Sequence, residues 1–230
     1  MLGTVVNAVA VILGALFGNF LKGGFPEKFR VTVMQGVSLA VILIGLSMAI
    51  KTQSALVVVL SLVVGGVIGE ALRIEDRLTG FGRKLEKRFG SSDDSFTKGF
   101  VTSSLVFCVG AMAIMGSIES GLTGKHTTLF VKSILDGVTS VVFASSMGIG
   151  VAFSAIPIFL YQGSITLAAA YVKSYLTAAV IREMTATGGL LILAIGLNML
   201  TDRVRIKVGN LLPAIFVAIL FAALFARFPF

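Results

Sequence analysis

Residues 31–69 read VTVMQGVSLAVILIGLSMAIKTQSALVVVLSLVVGGVIG, and Lys51 is the only charged residue among them. An uncharged apolar run of about 18 or more residues predicts a transmembrane helix, because roughly 20 residues at 1.5 Å rise match a hydrocarbon core about 30 Å thick. The stretch therefore predicts two membrane-spanning helices, over residues 31–50 and 52–69, that meet at Lys51.

The whole chain has the same apolar character. Of its 230 residues 56% are hydrophobic and 13% are charged, so the bilayer must cover apolar surface that one globular domain of this size could not bury. Helices are favoured over a β-barrel because the apolar runs are continuous and do not alternate. The predicted fold class is an all-α polytopic membrane protein with about eight transmembrane helices. The other six spans are predicted over residues 3–21, 99–118, 128–150, 154–172, 184–201 and 208–226.

The fifth and sixth spans come from one stretch, residues 137–172, that contains no charge. As a single helix its 36 residues would be about 54 Å long, which exceeds the thickness of a bilayer. Glycine and proline interrupt helices, so a break is predicted between Ser145 and Pro157. The sequence leaves open whether this break is a discontinuous helix within the membrane.

Lys and Arg are concentrated in the loops after the first, third and seventh spans. Cytoplasmic loops carry the excess of these residues, so this side is predicted to be cytoplasmic, with both termini outside the cytoplasm. The basic residues that give the net charge of +8 are therefore expected to set the membrane topology and to contact lipid headgroups. No nucleic-acid partner is expected.

The linker of residues 73–98 is the clearly polar part of the chain. Its apolar residues recur at helical spacing and are surrounded by Arg and Lys, which predicts a basic amphipathic helix. Such a helix can lie on anionic lipid headgroups, or it can be a charged connector packed on the helix bundle, and both readings stay open. The apolar stripe consists of Ile74, Leu78, Phe81, Leu85 and Phe89.

An internal similarity relates the two ends of the chain. Residues 44–48 read IGLSM and residues 195–199 read IGLNM, and the same offset of 151 lays spans one to three on spans six to eight without gaps. The paired spans run in opposite directions, which predicts an inverted-topology repeat of three helices with two intervening spans. The predicted organisation is one transmembrane domain over residues 1–230, with repeat A at 3–72, the linker at 73–98, the intervening spans at 99–153 and repeat B at 154–226.

Asp136 is the carboxylate predicted to lie well inside a span, with Lys132 one helical turn before it. A charge at this depth costs on the order of 3 kcal/mol, so it usually faces the bundle interior and has a partner. The functional reading is a substrate, ion or proton site. The alternative is a local ion pair near the outer interface, with Lys132 extending outward.

Polar residues near the predicted break are the second group of pathway candidates. Ser145, Ser146 and Gln162 could coordinate an ion or polar solute where a helix unwinds, or they could serve close helix packing. A weaker internal echo relates Gln35 to Asp136, and the main repeat relates Ser47 to Asn198, so Gln35, Ser47 and Asn198 join the candidates. Asn7 is expected to act as interhelical glue.

No catalytic grouping is predicted. Cys108 is the single cysteine and His126 the single histidine, so neither a cysteine metal cluster nor a shared histidine site is expected, and no cofactor motif is present. Glu119 and Glu183 are expected to be exposed loop charges. The chain is therefore not expected to be an enzyme.

Several motifs together resemble one known group: FCVGAM at residues 107–112, LDG at 135–137, YQG at 161–163, GGLLI at 188–192 and VGNLLP at 208–213. With these motifs the chain resembles the YdfK and YqgA type of bacterial inner-membrane proteins, a family of unknown function. The resemblance covers essentially the whole chain. It implies a location in the bacterial cytoplasmic membrane and carries no activity over to particular residues.

The leading hypothesis from the sequence is a small secondary transporter or channel for an ion or small polar solute. A mass of 24.1 kDa leaves little protein to enclose a pathway, so a homo-oligomer is expected. The alternative is a non-transporting membrane scaffold, assembly or lipid-interacting protein, which the basic linker favours.

Overall fold

The computed structural model describes residues 1–22, 27–89, 95–172, 176–201 and 205–227. Within these ranges the chain forms helices joined by short connections, and no β-strand occurs there. The α-helices are α1 (Leu2–Lys22), α2 (Glu27–Ala49), α3 (Ala55–Leu72), α4 (Ile74–Phe89), α5 (Ser95–Cys108), α6 (Ala111–Thr123), α7 (Thr127–Met147), α8 (Ala155–Val172), α9 (Ala178–Leu200), α10 (Val208–Leu211) and α11 (Pro213–Arg227).

Seven segments of this described part are long and apolar enough to cross a membrane, and α5 with α6 makes an eighth when the bent pair counts as one span. The predicted fold class, an all-α polytopic membrane protein with about eight transmembrane helices, is confirmed. The predicted break in residues 145–157 is also present: α7 ends at Met147, Gly148 has a φ of 84°, and a 3-10 helix at Ile149–Ser154 leads into α8.

The fourth span differs from its prediction, because residues 99–118 do not form one continuous helix. The helix α5 ends at Cys108, α6 begins at Ala111, and their axes differ by 60°. Gly110 between them has a φ of 148°, a backbone conformation that side chains other than glycine rarely adopt. One glycine therefore breaks a segment whose hydropathy alone looks continuous.

The bent pair α5–α6 nevertheless passes along the whole of α7. Gly99 near the start of α5 lies against Met147 at the end of α7, and Gly116 of α6 lies against Leu129 near the start of α7. A re-entrant loop would turn back before it reached the far end of its neighbour. The contacts therefore favour one broken span that runs antiparallel to α7.

The direction of α1 supports the same conclusion. Gly3 at the start of α1 faces Leu129, and Gly18 near its end faces Val141, so α1 and α7 run parallel. If α1, α2 and α3 each cross the membrane, α7 can run parallel to α1 only when α5–α6 crosses as well. The helix directions thus agree with eight crossings.

The described chain groups into two compact units, each built from segments of both halves of the sequence. The first unit contains Met1–Val37, Thr79–Cys108 and Met112–Tyr171. The second unit contains Ser38–Leu78, Val109–Ala111 and Val172–Phe230.

In the first unit α1 packs closely along α7. A Cβ added to Gly14 would overlap the carbonyl oxygen of Gly137, and one added to Gly18 would overlap that of Val141. Small residues let transmembrane helices approach until their backbones touch, which is a main source of helix association in lipid. This glycine stripe brings the polar side chains of α1 within reach of those on α7.

In the second unit α2 crosses α9, and α3 packs against α11. Gly45 of α2 approaches the backbone nitrogen of Leu193, while Gly196 of α9 approaches the backbone nitrogen of Ile42. Gly65 of α3 lies against the backbone of Ala214 in α11. Close backbone contacts at small residues therefore hold this unit together as well.

The linker forms the predicted helix, α4, and part of its apolar stripe packs on the first unit. The ring of Phe81 lies 5.8 Å from that of Phe100, and the ring of Phe89 lies 4.8 Å from that of Phe153, between centroids. Gly82 is buried against Phe100. These contacts fit a connector packed on the bundle. The basic side chains of Arg77, Arg83, Lys84, Lys87 and Arg88 are exposed.

Candidate functional site

The helix α7 places Lys132 and Asp136 one turn apart on its buried face. Lys132 Nζ lies 2.5 Å from Asp136 Oδ2, and the two residues are only 6% and 7% exposed. The alternative in which Lys132 extends outward is therefore not what the structure shows. A buried ion pair of this kind is expensive to form and is weak evidence for stability.

Asn7 of α1 completes this pair. Its side-chain amide Nδ2 donates a hydrogen bond of 3.0 Å to Asp136 Oδ2, across the close contact of α1 and α7. Asn7 is fully buried, and its Oδ1 has no hydrogen-bond partner. From the sequence Asn7 is expected only as interhelical glue, because nothing in a one-dimensional pattern shows which helix α1 packs against. Asn7, Lys132 and Asp136 are called the charged centre below.

Two hydroxyl groups extend the charged centre along the facing sides of the same two helices. Thr4 lies three residues before Asn7, and Ser140 lies four residues after Asp136, next to Gly14. The Oγ1 of Thr4 and the Oγ of Ser140 are buried without a hydrogen-bond partner. Leaving such a group unpaired costs about 1–3 kcal/mol. Each hydroxyl is thus an unpaired polar group one helical turn from the charged centre, where a ligand or water could complete its hydrogen bonding.

Gln162 of α8 is buried in the first unit too. Its Oε1 and Nε2 have no hydrogen-bond partner, although the residue is 0% exposed. Gln162 therefore keeps its place among the pathway candidates.

The serines near the interruption between α7 and α8 differ from Gln162 in their surroundings. The hydroxyl of Ser145 donates to the carbonyl of Val142 in its own helix, at 2.8 Å, and Ser146 is buried. A hydroxyl satisfied by its own backbone is typical of helix packing. The packing alternative therefore describes Ser145 better than the pathway alternative.

The candidates suggested by internal similarity do not join the charged centre. Gln35 and Ser47 are exposed, and the hydroxyl of Ser47 bonds the carbonyl of Ile44 one turn back. The amide of Asn198 donates to the carbonyl of Ile206 and accepts from its N–H, at 2.7 and 2.9 Å. These two hydrogen bonds of Asn198 hold the segment that follows α9 against the end of that helix. The internal similarity that relates Gln35 to Asp136 and Ser47 to Asn198 therefore does not place the related residues in similar polar environments.

Glu183 lies in α9 of the second unit, and the expectation that it is an exposed loop charge is wrong. It is 4% exposed, and its carboxylate accepts from the hydroxyl of Thr52 and, at 2.9 Å, from the N–H of Gln53. The carboxylate therefore satisfies backbone and side-chain donors in the turn between α2 and α3. The apolar surroundings in the sequence gave no sign of this contact.

A second cluster of polar side chains in the same unit also has hydrogen-bond partners. Asn210 donates to Glu70 at 2.6 Å and accepts from the N–H of Glu75 at 2.7 Å, while Glu75 accepts from the N–H of Gly209. Lys207 donates to Glu70 at 2.9 Å. These contacts tie the end of α3 to the start of α10, and they leave the interior of this group without the unpaired atoms that mark the charged centre.

Metal binding by a cluster of side chains finds no support in the described ranges. There, no three His, Cys, Asp or Glu residues are arranged to hold a metal ion. The charged centre instead offers one carboxylate, one ammonium group and an amide, and the hydroxyls of Thr4 and Ser140 lie one helical turn away along α1 and α7. That set can hold a proton, an ion or a small polar solute.

Comparison with known proteins places the chain in a family. The family described as "Protein of unknown function (DUF554)" matches residues 2–223. The uncharacterized membrane protein YdfK of Bacillus subtilis (strain 168) is 34% identical over 221 residues, which cover 94% of this chain and 93% of that protein. The uncharacterized protein YqgA of Escherichia coli (strain K12) is 32% identical over 223 residues, or 95% and 94%.

No solved structure matches the chain significantly. The family match and both relatives extend over nearly the whole length of the chain. The multiple apolar helices agree with the description of YdfK as a membrane protein. The chain belongs to the DUF554 family of membrane proteins.

Proposed function

We propose that the protein is a small secondary transporter or channel for an ion or small polar solute. The observation that carries the proposal is the charged centre, a buried Lys132–Asp136 pair held by Asn7 with unpaired polar atoms around it. Ionisable groups inside a membrane are costly, and they are found mostly along substrate and ion pathways. The proposal includes no catalytic step.

The proposal includes an inverted repeat, which is common in secondary transporters. Gly45 and Gly196 correspond at the offset of 151 found in the sequence. Gly45 approaches the carbonyl oxygen of Gly189, and Gly196 approaches that of Ser38, which is the position corresponding to Gly189. A two-fold axis through the crossing of α2 and α9 would produce such reciprocal contacts. They support the repeat independently of the sequence identities.

The broken span α5–α6 also supports a pathway. Backbone groups at a helix break lack their helical partners, and in membranes such groups are tolerated where they are buried in protein or line a polar cavity. The helix α5 ends at Cys108, and Phe107 beside it stacks on Phe143 of α7, the helix that carries Lys132 and Asp136. Transporter sites are often built from discontinuous helices of this kind.

The proposal also covers location, topology and assembly. The protein would lie in the bacterial cytoplasmic membrane with the basic helix α4 in the cytoplasm and both termini outside it, because Lys and Arg concentrate on the cytoplasmic side. A homo-oligomer would suit a chain of 24.1 kDa, since small chains often complete a pathway by association.

Flux into liposomes tests the transport proposal. Purified protein would be reconstituted and assayed with radioactive sodium, rubidium, chloride and glycerol as probes. At least one probe should enter faster than into protein-free liposomes, and Asp136→Asn should reduce that flux at least tenfold. Thr139→Ala is the matched control, because this residue lies in the same helix and its hydroxyl bonds the carbonyl of Leu135. Equal flux in Asp136→Asn would remove Asp136 from the pathway.

A second candidate function is a membrane scaffold that interacts with anionic lipids, favoured by the exposed basic residues of α4. Arg83, Lys84, Lys87 and Arg88 lie on the solvent side of a helix whose other face packs on the protein. If this function holds, nanodiscs of phosphatidylglycerol should stabilise the protein more than nanodiscs of phosphatidylcholine. Changing the four residues to Gln should abolish the difference. Equal stability in both lipids for the native protein would count against this candidate.

A further inference from the structure

Lys132 and Asp136 balance each other's charge inside the charged centre. Lys132 Nζ lies 2.5 Å from Asp136 Oδ2, and the two residues are 6% and 7% exposed. Removing the partner of either group would leave a buried charge unpaired, and such a charge is far more costly than a paired one. A ligand that separates the two groups must therefore supply an opposite charge to each of them.

This condition excludes most classes of small ligand. A simple cation would pair with Asp136 and leave the ammonium of Lys132 unpaired, and a simple anion would leave the carboxylate unpaired. An uncharged solute has no charge to offer to either group, so it can bind only beside the intact pair. A molecule that carries both an ammonium group and a carboxylate can pair with both residues at the same time.

The unpaired oxygen of Asn7 fits the ammonium end of such a molecule. The Nδ2 of Asn7 donates to Asp136 Oδ2 at 3.0 Å, and Oδ1 is bonded to the same carbon atom, so it lies close to that carboxylate. This oxygen is buried, has no hydrogen-bond partner and can only accept. An ammonium group has three N–H donors, and the carboxylate of Asp136 and the amide oxygen of Asn7 would accept two of them.

We propose that the charged centre binds a small zwitterion, of the class of the amino acids glycine and alanine. This inference rests on the proposed transport function and names its substrate class. The ammonium group of the ligand bonds Asp136 and the Oδ1 of Asn7, and its carboxylate pairs with the ammonium of Lys132. The flexible four-carbon stem of Lys132 lets its ammonium move aside, while the Nδ2 of Asn7 holds Asp136 in place. Every charge stays paired, and no proton is transferred.

The contact between α1 and α7 limits the size of the ligand. Gly137 follows Asp136, and a Cβ added to it would lie 3.4 Å from the carbonyl oxygen and 3.5 Å from the Cβ of Ala10. A Cβ added to Gly14 would overlap the carbonyl oxygen of Gly137. The two backbones thus approach closely beside the charged centre. Free glycine and alanine should therefore bind more tightly than leucine or phenylalanine.

Thermal stability of the purified protein in detergent tests the charge requirement, since a ligand that binds the folded state raises the melting temperature. The probes are free glycine, methylammonium, acetate and acetamide, which carry both charges, a positive charge, a negative charge and no charge. Only glycine should raise the melting temperature as its concentration increases, with all probes compared at one ionic strength. An equal rise with any of the other three would overturn the pairing of both charges.

Variants separate binding from stability. The double variant of Lys132→Met and Asp136→Asn removes both charges and should stay folded, yet it should lose the shift caused by glycine. Asn7→Ala should raise the Kd for glycine about tenfold, which corresponds to one lost hydrogen bond to a charged group. Thr139→Ala is the matched control and should keep the native shift, because its hydroxyl bonds the carbonyl of Leu135. A full glycine shift in the double variant would overturn the inference. Asn7→Ala tests the site even if the double variant fails to fold.

Radioactive glycine, added to the probes of the liposome assay, distinguishes this inference from the proposed function. Glycine uptake that the double variant lacks would support the inference. Flux of sodium, rubidium, chloride or glycerol, with neither uptake of glycine nor a glycine shift, would overturn the zwitterion and leave transport intact. A glycine shift without flux of any probe would keep the binding site and overturn the transport function. Neither a shift nor any flux would overturn both.

Discussion

Gly45 and Gly196 lie at the two sides of one helix crossing, and each presses its backbone against the helix that carries the other. Gly45 approaches the backbone nitrogen of Leu193, and Gly196 approaches that of Ile42. Both pairs of corresponding positions, Gly45 with Gly196 and Ile42 with Leu193, are 151 residues apart in sequence. The offset of 151 residues between similar segments of the sequence therefore also relates the two backbone contacts of this helix crossing.

Alanine at either glycine should destabilise the protein by a similar amount. A Cβ at Gly45 or Gly196 would overlap backbone atoms, which cannot move as a flexible side chain can. Overpacking of this kind costs about 1–3 kcal/mol, and because both residues act on one crossing, the double variant should be less destabilised than the sum of the single variants. Melting in detergent followed by size-exclusion chromatography measures this.

Gly36→Ala is the matched control for these variants. Gly36 lies in α2, the helix that carries Gly45, and nothing lies within 4 Å of the position its Cβ would take. Alanine favours a helix over glycine by up to about 1 kcal/mol, so this variant should be as stable as the native protein or slightly more stable. A loss of stability at Gly36 equal to that at Gly45 would contradict the argument from the crossing.

The path of α5 and α6 predicts that the two ends of this broken span are on opposite sides of the membrane. In a protein in which Cys108 is replaced by alanine, single cysteines would be introduced at Arg83 and Lys125, which are both exposed. A membrane-impermeant maleimide should label one of them from outside intact cells and the other only after permeabilisation. Labelling of both from the same side would show that α5–α6 is a re-entrant loop.

The charged centre predicts a specific pattern of stability. Lys132→Met leaves a buried carboxylate without its ammonium partner, which typically costs about 3–5 kcal/mol. Asp136→Asn leaves the ammonium without its carboxylate and should be comparably harmful. The double variant removes both charges and should recover most of the lost stability. Melting temperatures of the three variants test the pattern, and additive losses would mean that the two residues do not act as a pair.

Loss of the Asn210 side chain should destabilise the protein more than loss of the Lys207 side chain. Asn210 is buried and bonds both Glu70 and the backbone of Glu75, so Asn210→Ala should cost about 1–3 kcal/mol. The side chain of Lys207 is 57% exposed, and surface pairs contribute little. Melting of Asn210→Ala and Lys207→Met at neutral pH compares the two. Equal losses would contradict the ranking by burial.

The pH dependence at Lys207 has a defined sign. The hydrogen bond to Glu70 and the charge of that carboxylate raise the pKa of Lys207 above its ordinary 10.5. Its stabilising contribution is therefore full below the pKa of the unfolded chain and is lost as pH rises through the folded value. Melting between neutral pH and strongly alkaline pH should show this loss in the native protein. Lys207→Met should lack that component, and an unchanged alkaline profile in this variant would contradict it.

Much of the fold follows from the sequence because hydropathy acts locally. Runs such as residues 31–50 and 52–69 predict spans without knowledge of their neighbours, since the bilayer requires long apolar helices. The break of α5–α6 at Gly110 does not follow from the sequence for the same reason, because hydropathy averages over a window whereas the bend comes from the backbone angles of one residue.

Only part of the candidate site can be predicted from the sequence. The pairing of Lys132 with Asp136 was predictable, because residues four apart in a helix share a face. The role of Asn7 was not, since it depends on α1 packing beside α7, 129 residues away in sequence. The exposed positions of Gln35 and Ser47 were likewise not predictable, because apolar helices carry no signal that separates a lipid-facing side from a protein-facing side.

The sequence by itself determined that the chain is a helical membrane protein, where most of its helices lie and that one ion pair falls within a span. The tertiary structure decided which helices touch, and therefore that Asn7 completes the pair at Asp136 and that the buried Glu183 of α9 bonds the turn between α2 and α3. The physical reason is that helix formation in a membrane depends on hydropathy, a local property. Helix packing depends on small residues and polar contacts between segments that are distant in the chain.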